Sequence, residues 1–169
     1  MLFTGTIQEN ILVGKQFDET RMAKVLKVTA VKRDLENLPQ GLNTFVQECG
    51  LSLSSSLRVR VALARALYAD SDIYLLDDPF SSMDPQIAAT VFEKAIRGFL
   101  KNKCVLLVTY REEFLKQCRK VYILKDRRLG LLTEDEIESG KPLRALELPK
   151  RFLDGKRQRN DVPEAQEAL

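Results

Sequence analysis

Apolar positions along the chain follow two patterns. Within residues 18–37 (DETRMAKVLKVTAVKRDLEN), Met22, Val25, Leu26, Thr29 and Ala30 recur at helical spacing, Asp18 stands where an N-cap belongs, and Pro39 with Gly41 closes the segment. The spacing predicts one helix over 18–37. A second is predicted over 57–69, with Val61, Leu63, Ala64 and Leu67 packed and Arg58, Arg60 and Arg65 off the core face as a solvated row. From residue 73 onward the pattern shifts to short continuous apolar runs. The run 73–76 is expected to be a strand buried on both faces, followed by strands at 104–109 and 121–124 and a weaker one at 129–132. A helix over 85–100, with Pro85 suited to its first turn, and another near 112–117 lie between them. Strands alternating with helical stretches predict an α/β domain with βαβ units and a mainly parallel sheet.

After Gly140 charge and the prolines Pro142, Pro149 and Pro163 replace apolar anchors, so 141–169 reads as a charged linker or disordered tail. Its basic patch (Lys150, Arg151, Lys156, Arg157, Arg159) is flanked by acids and has no interleaved aromatics, so no nucleic-acid partner is expected. With 169 residues, 44% hydrophobic and 30% charged, the composition fits a single ordinary domain, and a net charge of +3 favours no partner class. No apolar run approaches the ~20 residues that span a bilayer, and the N-terminus lacks a signal-peptide pattern. Cys49, Cys104 and Cys118 are odd in number and widely spaced, which argues for reduced thiols rather than a disulfide or zinc site. The chain has no histidine, which excludes imidazole chemistry by this chain alone.

Candidate chemistry concentrates in residues 54–84 (SSSLRVRVALARALYADSDIYLLDDPFSSMD). A serine cluster opens a helix, and helix N-termini favour anions because their first amides are unpaired and carry the positive end of the macrodipole. Asp77 and Asp78 end an apolar strand, a position from which carboxylates hold Mg2+ beside phosphates. Both features also have plainer readings. Ser54 suits a helix N-cap, and the paired acids suit a strand end facing nearby arginines. Asp84 followed by Pro85 likewise suits a turn and a helix start.

Five segments carry a family resemblance: ENILVG (9–14), the serine cluster before RVALARALY (60–68), IYLLDDP (73–79), SSMD (81–84) and VLLVTY (105–110). In order and spacing they resemble the nucleotide-binding domain of ATP-binding-cassette transporters. GTIQENILVGK (5–15) and DLENLP (34–39) point to the first such domain of the C subfamily, of the multidrug-resistance-associated type. The resemblance covers about residues 2–133. It implies a partial P-loop NTPase fold over 1–140, with a helical signature subdomain at about 15–70 and a Walker B core at about 71–140. It further implies ATP and Mg2+ as cofactors, with a second nucleotide-binding domain and transmembrane domains as partners. The implied location is the cytoplasmic face of a membrane, reached only through the parent or a partner.

The resemblance also assigns roles. Asp77 matches the Walker B aspartate that holds Mg2+ through water. Asp78 stands at the position of the catalytic glutamate; one methylene less draws the carboxylate back by about 1 Å, a displacement that costs on the order of 10²-fold in rate. Tyr110 stands at the switch histidine, where a phenol can donate one hydrogen bond but carries no charge near neutral pH; otherwise it is an amphipathic residue at a strand end. Leu53, Ser54, Ser55, Ser56 and Leu57 stand at the family's L-S-G-G-Q signature, having lost the glycines that let backbone approach a phosphate closely. Ser81, Ser82 and Asp84, with Met83, match the loop that crosses the dimer interface. None of the eight glycines opens a G-x-x-x-x-G-K-[ST] P-loop. In the family that motif precedes the GTI segment, so Met1 is expected to fall downstream of it, and the isolated chain is expected to be inactive and poorly soluble or partner-dependent. Three readings follow: a degenerate first nucleotide-binding domain of an exporter, a non-catalytic module docking on an intact cassette domain, or a truncated product.

Overall fold

A computed structural model of the chain describes residues 2–47, 50 and 52–139; Cys49 and the 141–169 tail lie outside the described residues. The chain divides into two compact units, Met1–Arg111 and Glu112–Leu169.

In the first unit, β1 (Gly5–Thr6) runs directly into α1 (Ile7–Leu12). Thr6 and Glu9 satisfy two otherwise orphaned amides by a capping box: Thr6 Oγ1 accepts from Glu9 N at 3.1 Å, and Glu9 Oε2 accepts from Thr6 N at 2.6 Å. The fully buried Asn10 donates to the Phe3 and Thr6 carbonyls and accepts from Phe3 N, which folds the N-terminal segment onto α1. The helix expected over 18–37 is two helices, α2 (Glu19–Val28) and α3 (Val31–Leu35). Asp18 is the N-cap, accepting from Arg21 N at 2.8 Å. The break lies at Ala30, which adopts a left-handed φ of 55°. Two bonds explain it. Buried Thr29 turns its hydroxyl back onto the Val25 carbonyl at 2.8 Å, and the Ala30 carbonyl accepts from Arg60 Nη1 at 2.8 Å. A long-range bond therefore overrides local helix propensity.

That arginine corrects a second expectation. Within α4 (Ser55–Ala69), Arg60 is not solvated but only 2% exposed. Its guanidinium meets Asp34 with two bonds, 2.6 and 3.1 Å, and the Ser56 carbonyl at 3.3 Å. Arg65 is half-buried: Nε donates to the Asn10 carbonyl at 2.7 Å, its head lies over the Phe3 ring, and burial pulls its pKa below the ordinary value. Both are tolerable inside because the planar fork finds acceptors in fixed geometry. Fully buried Ile7, Ile11, Val25, Val31, Val61 and Leu67 form the apolar core that α4 shares with the preceding helices. At the C-terminal end of α4, Arg21 donates to the Leu67 and Tyr68 carbonyls and Lys15 to that of Ala69, placing cations at the negative end of the helix. The exposed Asp70 follows, its carboxyl held below the usual range first by the hydrogen bond and charge of Arg21 and then by Lys103.

From Asp70 the chain enters β3 (Ile73–Asp77), which pairs in parallel with β4 (Cys104–Val108), Ile73 opposite Cys104 and Asp77 opposite Val108. Burial alternates along both strands. Tyr74 is buried, while Ile73, Leu75, Leu106 and Val108 on the other face are 51–74% exposed. The expectation that residues 73–76 are buried on both faces therefore fails: among the described residues nothing covers the second face. The expected helix over 85–100 is α5 (Pro85–Val91) continuing as a π-helical stretch, Phe92–Phe99.

The second unit holds a 3-10 helix (Glu112–Gln117), β5 (Tyr122–Lys125), β6 (Arg128–Leu131) and α6 (Glu134–Glu138) around Val121 and Leu132. Here the mainly parallel expectation is corrected. Asp126 and Arg127 both have positive φ, 49° and 60°, the geometry of a two-residue hairpin turn, and such a turn can only return the chain antiparallel. Among the described residues β3·β4 is the one parallel pair, and β2 (Phe45–Val46) also pairs antiparallel with β1.

Replacing Asp34 by Ala leaves the buried guanidinium its carbonyl partners but removes its counter-charge, and is expected to cost about 3 kcal/mol. The check is a lowered urea midpoint at unchanged slope; a loss below about 1 kcal/mol would reduce the pair to a surface bridge. The bare sheet face predicts concentration-dependent self-association in light scattering, relieved by Leu75→Lys with Leu106→Lys; an undisturbed monomer in the parent chain would contradict this.

Candidate functional site

The residues singled out by sequence fall into two sets. One sits at the start of α4. Ser54 is the N-cap, its Oγ accepting from Leu57 N at 3.2 Å. Leu53 and Leu57 are buried at 7% and 4%, so their side chains brace the turn from within, while Ser54 and Ser55 face outward. Ser56 Oγ is enclosed, with no hydrogen-bond partner among the described residues. Gly50, at φ +86°, precedes this turn; an added Cβ would come within 3.1–3.3 Å of Arg58 and Leu2, so glycine there serves both conformation and close packing.

The other set sits at the C-terminal end of β3·β4, where open α/β sheets place their ligands. Asp77 ends β3 with an exposed carboxylate opposite Val108. Asp78 has a left-handed φ of 40°; its amide donates to the Val108 carbonyl at 2.8 Å, and its own carbonyl accepts from Ser81 N and Oγ. Ser82 Oγ is buried, with no hydrogen-bond partner among the described residues. Asp84 is the N-cap of α5, accepting from Gln86 N at 2.9 Å. Tyr110, just past β4, is 85% exposed. The structure thus gathers Asp77, Asp78, Ser82, Asp84 and Tyr110 at one sheet end. The serine set sits apart from them, at the end of α4 remote from its junction with β3.

The fit to Mg2+ and nucleotide is uneven. Asp77 can supply one carboxylate ligand, which suits an ion that takes most of its other ligands from water and phosphate. No cluster of three or more Asp, Glu, His or Cys ligands occurs among the described residues. Two concave surfaces lie elsewhere: one of about 400 Å³ beside Phe3, Leu12 and Lys15, and one of about 750 Å³ in the second unit beside Cys118 and Ile137. Sequence reasoning passed over Arg111, whose guanidinium donates to the Phe80 and Met83 carbonyls; its place immediately after Tyr110 was the only available signal.

The N-cap geometry predicts that Ser54→Ala costs about 1 kcal/mol by itself, with Ser54→Asp close to neutral. Urea unfolding without nucleotide checks this, and an unchanged midpoint for the alanine variant would deny the cap.

No protein-family model matches the chain. Similarity to known proteins is nevertheless extensive. The chain is 42% identical over 136 residues, 79% of its length, to ATP-binding cassette sub-family C member 4 of Homo sapiens. It is 40% identical over 148 residues, 85% of its length, to ABC transporter C family MRP4 of Zea mays. With ABC transporter C family member 12 of Dictyostelium discoideum it shares 41% identity over 124 residues, 73% of its length. The matched segment spans about a tenth of these relatives, 10%, 10% and 9% in turn. No described helix is long and apolar enough to cross a membrane. On identity of this extent, the chain belongs to the C subfamily of ATP-binding-cassette transporters.

Proposed function

We propose that this chain is the partner-facing part of the first nucleotide-binding domain of a C-subfamily exporter, coupling nucleotide binding to transport only within a larger assembly. The observation that carries this reading is the sheet end: Asp77 retained and exposed, with the 80–84 loop beside it, and no P-loop pattern in the chain. In this reading the helical stretch at about 15–70 is the signature subdomain and about 71–140 the Walker B core. Partners are a second nucleotide-binding domain and transmembrane domains, at the cytoplasmic face of a membrane.

Each retained residue has a limited part. Asp77 would hold a water of the Mg2+ shell if Mg2+–ATP bound here, the metal then supplying charge neutralisation beside the phosphates. Asp78, one methylene shorter than glutamate and left-handed in backbone, orients water poorly. Tyr110 offers a neutral donor where charge near the terminal phosphate would help catalysis. At the start of α4, Ser54 and Ser55 face outward, but the Cβ atoms of Ser55 and Ser56 keep a phosphate farther from the amides than glycine would. Weakness is therefore spread over both composite sites of a head-to-tail dimer, and the isolated chain is expected to be catalytically silent.

One observation favours a second reading, a regulatory module docking on an intact cassette domain: the apolar face of Ile73, Leu75, Leu106 and Val108 is open to a partner. The same experiments address both. The chain alone should hydrolyse ATP no faster than its Asp77→Ala variant. In the full-length parent, turnover should not exceed that of a Ser54→Ala/Asp78→Ala double variant; clear turnover above it overturns the degenerate-site reading. Co-purification of the chain with a separate, intact transporter would favour the docking module.

A further inference from the structure

We propose that Arg111 is a positioning residue that pins the 80–84 loop to the end of β4, so that this loop holds one geometry before nucleotide or partner arrives. The inference rests on the reading of that loop as the partner-facing edge of a cassette domain. Phe80 and Met83 are buried at 0% and 3%, anchoring the loop from beneath. Above them a single guanidinium nitrogen, Arg111 Nη2, donates to the Phe80 carbonyl at 3.1 Å and to the Met83 carbonyl at 2.5 Å. The Phe80 carbonyl also accepts from Met83 N at 3.1 Å, so Arg111 closes over an existing turn. Arg111 is held in its own place, its amide donating to Thr109 Oγ1 at 3.1 Å. At the other end, Asp78 N bonds to the Val108 carbonyl of the same strand. The loop is thus tied to β4 on both sides, and between the ties it exposes Ser81 while the Ser82 Oγ is turned inward.

Tyr110, at the position where the family contacts the terminal phosphate, is 85% exposed, and no hydrogen bond ties it to this loop among the described residues. The loop's tie to the strand end therefore runs through the neighbouring cation. A charge-assisted bond to two carbonyls is strong and directional, and a lysine, as a point charge, reproduces it only in part. A loop fixed in this way does not wait for a nucleotide-contacting residue to order it.

Amide hydrogen exchange on the full 169-residue chain tests this. In Arg111→Met, which keeps an apolar stem, the Ser81 and Met83 amides should exchange about tenfold faster while α4 keeps its protection, as expected for loss of a charged hydrogen bond that acts locally. Arg111→Lys should fall between, and Tyr110→Phe should leave the loop unchanged. The proposal is overturned if the loop rates in Arg111→Met match the parent chain, or if Tyr110→Phe accelerates them equally. It is also overturned if both Arg111 variants lose protection throughout, since that is a purely structural role. Association of the parent chain with an intact, nucleotide-loaded cassette domain is measured in parallel. Failure there removes the functional reading, whereas the exchange rates still decide whether Arg111 sets the loop.

Discussion

Arginine heads seated on main-chain carbonyls hold the first unit together, and α4 is the helix they hold. Arg60 joins its first turn to Ala30 and Asp34, Arg65 joins its middle to Asn10, and Arg21 closes its last carbonyls. Helix ends and breaks leave carbonyls without amide partners, and a planar guanidinium serves several at once. Apolar contact makes the neighbouring helices adhere to α4. These forks add directional bonds at the break after α2, along α1 and at the last carbonyls of α4.

Much of the fold was legible in the sequence. The α4 helix, the strands around 73–76 and 104–109, the N-caps at Asp18, Ser54 and Asp84, and the first turn at Pro85 follow from local rules that need only neighbours a few residues away. What escaped depends on distance along the chain. The break at Ala30 is set by Arg60, thirty residues later, and nothing in local spacing distinguishes that arginine from a solvated one. The 121–132 stretch reads as two strands, but their direction is decided by Asp126 and Arg127, neither of them the glycine that usually marks a left-handed turn. Burial on both faces was inferred for residues 73–76 because short apolar runs usually mean that, whereas among the described residues nothing covers one face.

The candidate site was legible as a list of positions and less so as chemistry. Side chains at the tip of a strand or the start of a helix are placed by the element itself, so Asp77, Tyr110 and Ser54 lie where the spacing puts them. Their immediate surroundings are not placed by spacing. Leu53 and Leu57 belong to the turn's interior, and Arg111 carries a duty that its unremarkable position did not announce. The scaffold of the serine turn is built from a cap and two buried leucines, which hold it without a glycine at 55 or 56.

The parallel pairing of β3 with β4 has a kinetic side. No ladder bond between them can form until the whole 78–103 connection has been threaded over the sheet. The arginine staples around α4 close spans of 26 to 55 residues, so the helices offer the strands no early template, and the pair must wait for its own crossover. Until that happens, two strongly apolar strands wait in the open, and the chain's success in folding becomes a race between its own crossover and whatever else binds strands first.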